Sequence, residues 1–121
     1  MQRKSLASAP CAVARSLDVI GDWWSLLIVR DALRGARRFS EFERSLGIAK
    51  NILTVRLRKL EENGILAIVP ASDGSAYKEY ALTQKGKALR PVVKALWNWG
   101  AEYMFAAKDR PTHVQPLTFA R

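Results

Sequence analysis

One cysteine and one histidine are all that this 121-residue chain offers of the softer metal ligands and nucleophiles. A lone Cys11 excludes an internal disulfide, and one His beside one Cys cannot assemble a usual structural zinc site, so no metal and no other cofactor is expected. The same scarcity, with no convergent pair of carboxylates, leaves little for acid/base or nucleophilic chemistry, and the chain reads as a non-enzyme. Long apolar runs are missing too. WWSLLIV, residues 23–29, is flanked by Asp22 and Arg30 and falls far short of the roughly 18–20 residues that cross a bilayer. The opening MQRKSLASAPC has basic residues without the apolar core of about 7–15 residues that an export signal needs. A cytoplasmic protein without a membrane span is the expectation.

Acid is also in short supply: 11 Asp and Glu stand against 20 Lys and Arg, a formal charge of +9. Such an excess favours a polyanionic partner, nucleic acid first and an acidic membrane surface second. A hydrophobic content of 49% in a chain of this length suits one domain with a modest core.

Periodicity divides the chain into an irregular arm over residues 1–10, a domain over 11–108 and a tail over 109–121 that contains Pro111 and Pro116. CAVARSLDVIG places Val13, Leu17 and Ile20 at helical spacing before Gly21. Asp22 is a fitting N-cap for WWSLLIVRDALRG, apolar around most of its circumference and therefore the buried central helix, ended by Gly35. In SEFERSLG, Ser40 and Glu43 fit a reciprocal capping box. Gly47 closes that helix, and three residues lead into NILTVRLRKLEENGIL, residues 51–66, which completes a helix-turn-helix layout. ILAIVPAS and YKEYALT then read as a hairpin about a polar turn, with Pro70 near a strand end. Thr83 is the expected cap of a last helical region that Pro91 kinks or divides. The predicted fold is mainly α with a small antiparallel β-hairpin as a wing.

At about 100° per residue, Leu53, Leu57 and Leu60 fall within about 60° of one another and form a buried stripe. Asn51, Thr54, Val55, Arg58 and Glu62 lie opposite. A major groove accepts a helix N-terminal end first, so Asn51 suits adenine, Arg58 guanine, and the Thr54 or Val55 methyls a thymine methyl. Arg37, Arg38, Ser40, Lys50 and Lys59 suit phosphates, and Lys78 with the turn 72–76 suits an adjacent minor groove or backbone. Arg56, beside the leucine stripe, suits a partner inside the protein, with a phosphate as the alternative. A solvated helix face, or a winged-helix module that binds another protein, is the alternative reading of the same residues. In the last helix, apolar residues including Val92, Val93, Leu96, Trp97, Trp99, Tyr103 and Met104 spread over more than one face, which is more than one small domain can cover.

The segment from CAVARSLDVIG to RLRKLEENGIL, followed by YKEYALTQKG, resembles the HxlR family of bacterial winged-helix transcription regulators over residues 11 to about 100. Its Cys-x-Val opening, Arg-Arg-Phe-Ser-Glu, Leu-Thr-x-Arg-Leu-x-x-Leu-Glu and Tyr-x-Leu-Thr-x-x-Gly occur together and in order. Many relatives carry Ser-Pro at the start of the recognition helix, where this chain has Ala49-Lys50 and loses a hydroxyl cap. The resemblance implies a winged helix-turn-helix with N- and C-terminal dimerisation helices, and a homodimeric regulator, as a repressor, on pseudo-palindromic double-stranded operators. Dimerisation would then run through Val13, Leu17, Val93, Leu96, Trp97, Gly100, Tyr103 and Met104. It also implies oxidant, quinone or aldehyde sensing at Cys11, where free helix amides and Arg15 would favour the thiolate. A small-molecule effector stacked on Trp23, Trp24 or Trp97 is the competing switch, against a reading of those indoles as core.

Overall fold

The computed structural model describes residues 5–106. Six helices and one hairpin follow in order: α1 (Ala12–Ile20), α2 (Ser25–Leu33), α3 (Phe39–Leu46), α4 (Lys50–Glu62), β1 (Leu66–Pro70), β2 (Lys78–Leu82), α5 (Gln84–Lys87) and α6 (Arg90–Tyr103). The anticipated tail over 109–121, and the first four residues of the arm, lie outside the described residues. The rest of the arm folds back on α1, with the Leu6 amide donating to Asp18 Oδ1 at 2.8 Å.

α2 is the centre on which the other elements pack. It touches α3, α4, α6 and β2, and Ile28, Val29 and Leu33 on it are sealed from solvent together with Phe42 of α3, Leu53, Leu57 and Leu60 of α4, and Leu66 of β1. The leucine stripe is thus the buried side of α4, at the spacing of three and four residues that puts side chains on one helical face. α2 begins at Ser25 with Trp24 in the N-cap position, two residues later than anticipated, yet the Asp22 carboxylate still serves its first turn, accepting from the Trp24 and Ser25 amides, both at 3.0 Å, and from the Ser25 hydroxyl. Burial pushes this carboxyl up, but the Ser25 hydroxyl, the two amides and Arg56 outweigh it and hold the pKa below its ordinary value.

Two expectations need correction. α3 begins at Phe39, not after Ser40. Glu41 supplies the returning carboxylate in place of Glu43, accepting from the Arg37 and Arg38 amides at 3.1 and 2.9 Å. Phe39 packs against the core, and that contact starts the helix a turn position earlier than the hydroxyl would. Val93, assigned to a dimer contact, is 7% exposed within its own chain; the first turn of α6 presses it onto the domain core.

Strands β1 and β2 pair antiparallel, Leu66 opposite Leu82 and Pro70 opposite Lys78. Thr83 caps α5 by accepting the Gly86 amide at 3.0 Å. Gly86 has no substitute there, because a Cβ would lie 2.2 Å from the Ile65 carbonyl oxygen. Pro91 falls in the first turn of α6, where its missing N–H is no loss, so it divides the last helical region into α5 and α6.

Candidate nucleic-acid interface

The turn between α3 and α4 sets the geometry. Gly47 adopts φ 61°, ψ 29°, a left-handed conformation that glycine enters without steric cost, and the buried Ile48 anchors the chain before α4 starts. Ala49 is the N-cap and provides no side-chain hydrogen bond, so the first amides of α4 are left for an outside acceptor.

Asn51, Thr54, Val55, Arg58 and Glu62 are all exposed, on the side opposite the leucines. Among the described residues, no side-chain hydrogen bond or ion pair engages Lys50, Asn51 or Arg58, so their donors are uncommitted. The Thr54 hydroxyl donates to the Lys50 carbonyl at 2.8 Å, which leaves its methyl group and a remaining lone pair for a partner. Arg56 turns the other way: its Nε lies 3.5 Å from Asp22 Oδ2, an intramolecular partner and not a phosphate.

Lys59 departs from its assignment to phosphate. It sits on the flank of α4 that faces α1, with Nζ 3.4 Å from the Asp18 carbonyl oxygen. That flank borders an open depression lined by Gly21, Asp22, Trp23, Trp24, Arg56 and Lys59. Trp23 stands 87% exposed at its edge, while Trp24 packs on the core. Trp97 is not part of this depression, so the three tryptophans grouped from sequence as a ligand pocket divide between two places.

On the other side of α4, a groove between the helix pair and the wing is lined by Arg38, Ser40, Glu43, Lys50, Tyr77 and Lys78 among others. It brings four sequence-assigned contact residues together: Arg38, Ser40, Lys50 and Lys78. Both arginines before α3, however, are already paired. Arg37 Nε donates to Glu79 Oε1 at 2.7 Å, and Arg38 reaches Asp73 Oδ2 at 2.5 Å and Glu79 Oε2 at 3.6 Å. The Arg38 guanidinium also lies over the Tyr77 ring, 5.0 Å from its centroid.

Glu79 is the residue that the sequence reading passed over. It is buried, and the hydrogen bond from Arg37 holds its carboxyl below the ordinary glutamate value. Asp73, held by the Ser75 hydroxyl and amide and then by Arg38, is pulled down to about 2. The alternation of YKEYAL gave no signal for Glu79: Tyr80 and Leu82 pack on the core, so this residue falls on the other face of β2, where Arg37, Arg38 and Ser72 reach it and meet the need of a buried carboxylate for a cation.

Cys11 is exposed and is the N-cap residue of α1. Arg15 does not turn its Nε toward the sulfur; it donates to the Ala9 carbonyl at 2.5 Å. Along α1 and α6, Val13, Leu17, Leu96, Trp99, Tyr103, Met104 and Phe105 are exposed, and Trp97 is at the margin with 36%. The Trp99 and Tyr103 rings meet at a tilt of 46°, 5.7 Å between centroids. Among the described residues nothing lies within 4 Å of where a Cβ on Gly100 would sit, so another helix could approach closely there.

A model of the HxlR-like helix-turn-helix family matches residues 19–108. An HTH-type transcriptional regulator of Mycobacterium tuberculosis is 42% identical over 107 residues, which cover 88% of this chain and 68% of that protein. Among solved structures, PA1607, a candidate transcription factor, is 49% identical with a TM-score of 0.83, covering 96% of this chain and 85% of its own. The redox regulator HypR in its reduced form is 34% identical with a TM-score of 0.69, over 76% of this chain and 92% of its own.

Proposed function

The chain belongs to the HxlR-like helix-turn-helix family, and from that premise we propose that this DNA-binding transcriptional regulator works as a cytoplasmic homodimeric repressor on pseudo-palindromic operators. In this reading each copy inserts the N-terminal half of α4 into a major groove, Asn51 and Arg58 read base edges, and Thr54 and Val55 meet thymine methyls. Lys50, Ser40 and Lys78 line the phosphates of the groove beside the wing. The observation that carries the reading is the exposed face of α4: its polar side chains point outward with unspent donors, beside helix amides that no side chain caps. It is a binder and not a catalyst in this reading, consistent with a single His and a single Cys. The test is binding of the purified chain to its own upstream region against a shuffled duplex at physiological salt, with the salt slope measured. Equal affinity for the two duplexes would remove operator recognition from the reading.

Homodimerisation is supported by the exposed apolar side chains of the two helices, Val13 and Leu17 on α1 and Leu96, Trp99 and Tyr103 on α6, more than a free surface usually carries. Two copies joined there would have to set their α4 helices one helical turn apart, ~34–36 Å, to meet two half-sites. Leu96→Lys is expected to convert the dimer into monomer in light scattering and to weaken operator binding at least tenfold. A variant that stays dimeric with full affinity would place the interface elsewhere.

Redox sensing at Cys11 is supported by its exposure and by similarity to HypR, described as a redox regulator in reduced and oxidised forms. One cysteine per chain allows an intersubunit disulfide, with the oxidant taking the two electrons, or an adduct with an electrophile such as a quinone. Cys11→Ser is expected to retain operator binding and to lose release by diamide or a quinone. An unchanged dose response in that variant would assign the switch to another group, of which the depression at Trp23 and Trp24, as an effector site, is the first to probe.

A further inference from the structure

Arg38 is held in a manner that separates its two acidic partners. Its Nε lies 3.6 Å from Glu79 Oε2 and its guanidinium rests over Tyr77. Nη2 reaches Asp73 Oδ2 at 2.5 Å and Ser75 Oγ at 3.5 Å. The Glu79 side chain is 4% exposed and that of Asp73 55% exposed. Glu79 therefore holds the cation from the protein side, while the exposed Tyr77 ring lies against it and Asp73, on the exposed turn of the wing, pairs with Nη2. Arg38 itself lines the groove that also holds Lys50 and Lys78, neither of which is paired among the described residues.

A carboxylate and a phosphate present the same kind of paired anionic oxygens to a guanidinium fork. An exposed ion pair is also weak enough in water to exchange one anion for another. We propose that Asp73 is an internal stand-in for a DNA phosphate: it covers Arg38 in the free protein and gives way when α4 has docked. This rests on the reading of α4 and the wing as the DNA interface. Its consequence is discrimination. On random DNA the contacts are too few to displace Asp73, so Arg38 stays covered and the wing turn repels the backbone. On an operator, the seated recognition helix holds a phosphate against the groove, and Arg38 changes partner. Asp73 thereby lowers non-specific affinity more than specific affinity.

The experiment is a double-mutant cycle on the full chain with Asp73→Asn, Arg38→Gln and the double variant, using anisotropy of the upstream duplex and a shuffled duplex. Arg38→Gln removes the charge and keeps a planar polar end group of shorter reach, and thermal midpoints of all four proteins identify any unfolded variant, with Arg38→Met as its replacement. Between about 50 and 200 mM salt, Asp73→Asn is expected to tighten the shuffled duplex about three- to tenfold at the low end and to steepen the log–log salt slope by about one per subunit. The upstream duplex should gain less, and both gains should vanish in the Arg38→Gln background. A gain that persists without Arg38 would reduce Asp73 to a generic negative charge, and weaker binding by Asp73→Asn would make it a wing support; either overturns the masking while DNA binding stands. If none of the proteins binds either duplex at low salt, the DNA reading itself falls and the masking with it.

Discussion

Arg58→Ala is expected to lower operator affinity by about 2–6 kcal/mol in a dimer, since each bidentate arginine–guanine pair is worth about 1–3 kcal/mol of discrimination and two copies contribute. Binding to shuffled DNA should fall far less. The expectation follows from placement: Arg58 is exposed one turn beyond Thr54 on the outward face of α4, with Leu57 buried behind it and no acid among the described residues holding it. A cation so placed keeps its full donor set for a base edge. Lys50→Ala is the contrast, because a phosphate contact weakens all sequences alike and lowers the salt slope by about one. Competition titrations with both duplexes separate the two behaviours. If Arg58→Ala lost operator and shuffled DNA in equal proportion, with a reduced slope, Arg58 would be a phosphate ligand and the base reading would pass to Asn51.

Phe42→Ala should cost about 3–5 kcal/mol of stability, the usual range for truncating a buried aromatic, against the roughly 5–15 kcal/mol that a domain of this kind has in total. Phe42 is completely buried at the centre of α3 and meets Tyr80 of β2 edge-on, 6.3 Å between ring centroids at 84°. The side chain therefore ties the first helix of the DNA-binding pair to the wing. At about 4–8 °C per kcal/mol for a domain near 100 residues, the melting midpoint should drop by well over 10 °C in circular dichroism. DNA binding should disappear over the same temperature interval, as both halves of the interface hang on this contact. A shift of a degree or two would mean that α3 and β2 are joined by something other than this ring pair.

The leucine stripe of α4, the cap at Asp22, the division at Pro91 and the hairpin were legible in the sequence because each is local. A helical period, a carboxylate before a helix, a proline and an alternating pair of segments act over a few residues, and the physics that forms them is contained in that span. The start of α3 was misread by the same local logic. Ser40 and Glu43 fit a capping pair by residue type, whereas Arg38 has no acceptor to offer; only the packing of Phe39 on the core and the Glu41 carboxylate taking the Arg37 and Arg38 amides place the start at Phe39.

The candidate interface was half legible. Asn51, Thr54, Val55 and Arg58 could be placed outward once Leu53, Leu57 and Leu60 were placed inward, since one helix has only two sides. The states of Arg37 and Arg38 could not, because their partners Glu79 and Asp73 are 42 and 35 residues away and arrive only when the register Pro70 opposite Lys78 is set. Lys59 and Val93 belong with them: which flank of α4 faces α1, and which face of α6 meets the core, are settled by how those helices lie on α2. Element identity and the outward side of α4 follow from spacing along the chain. The pairing of the arginines at the wing follows from distance in space, because a charge answers to whatever is folded against it.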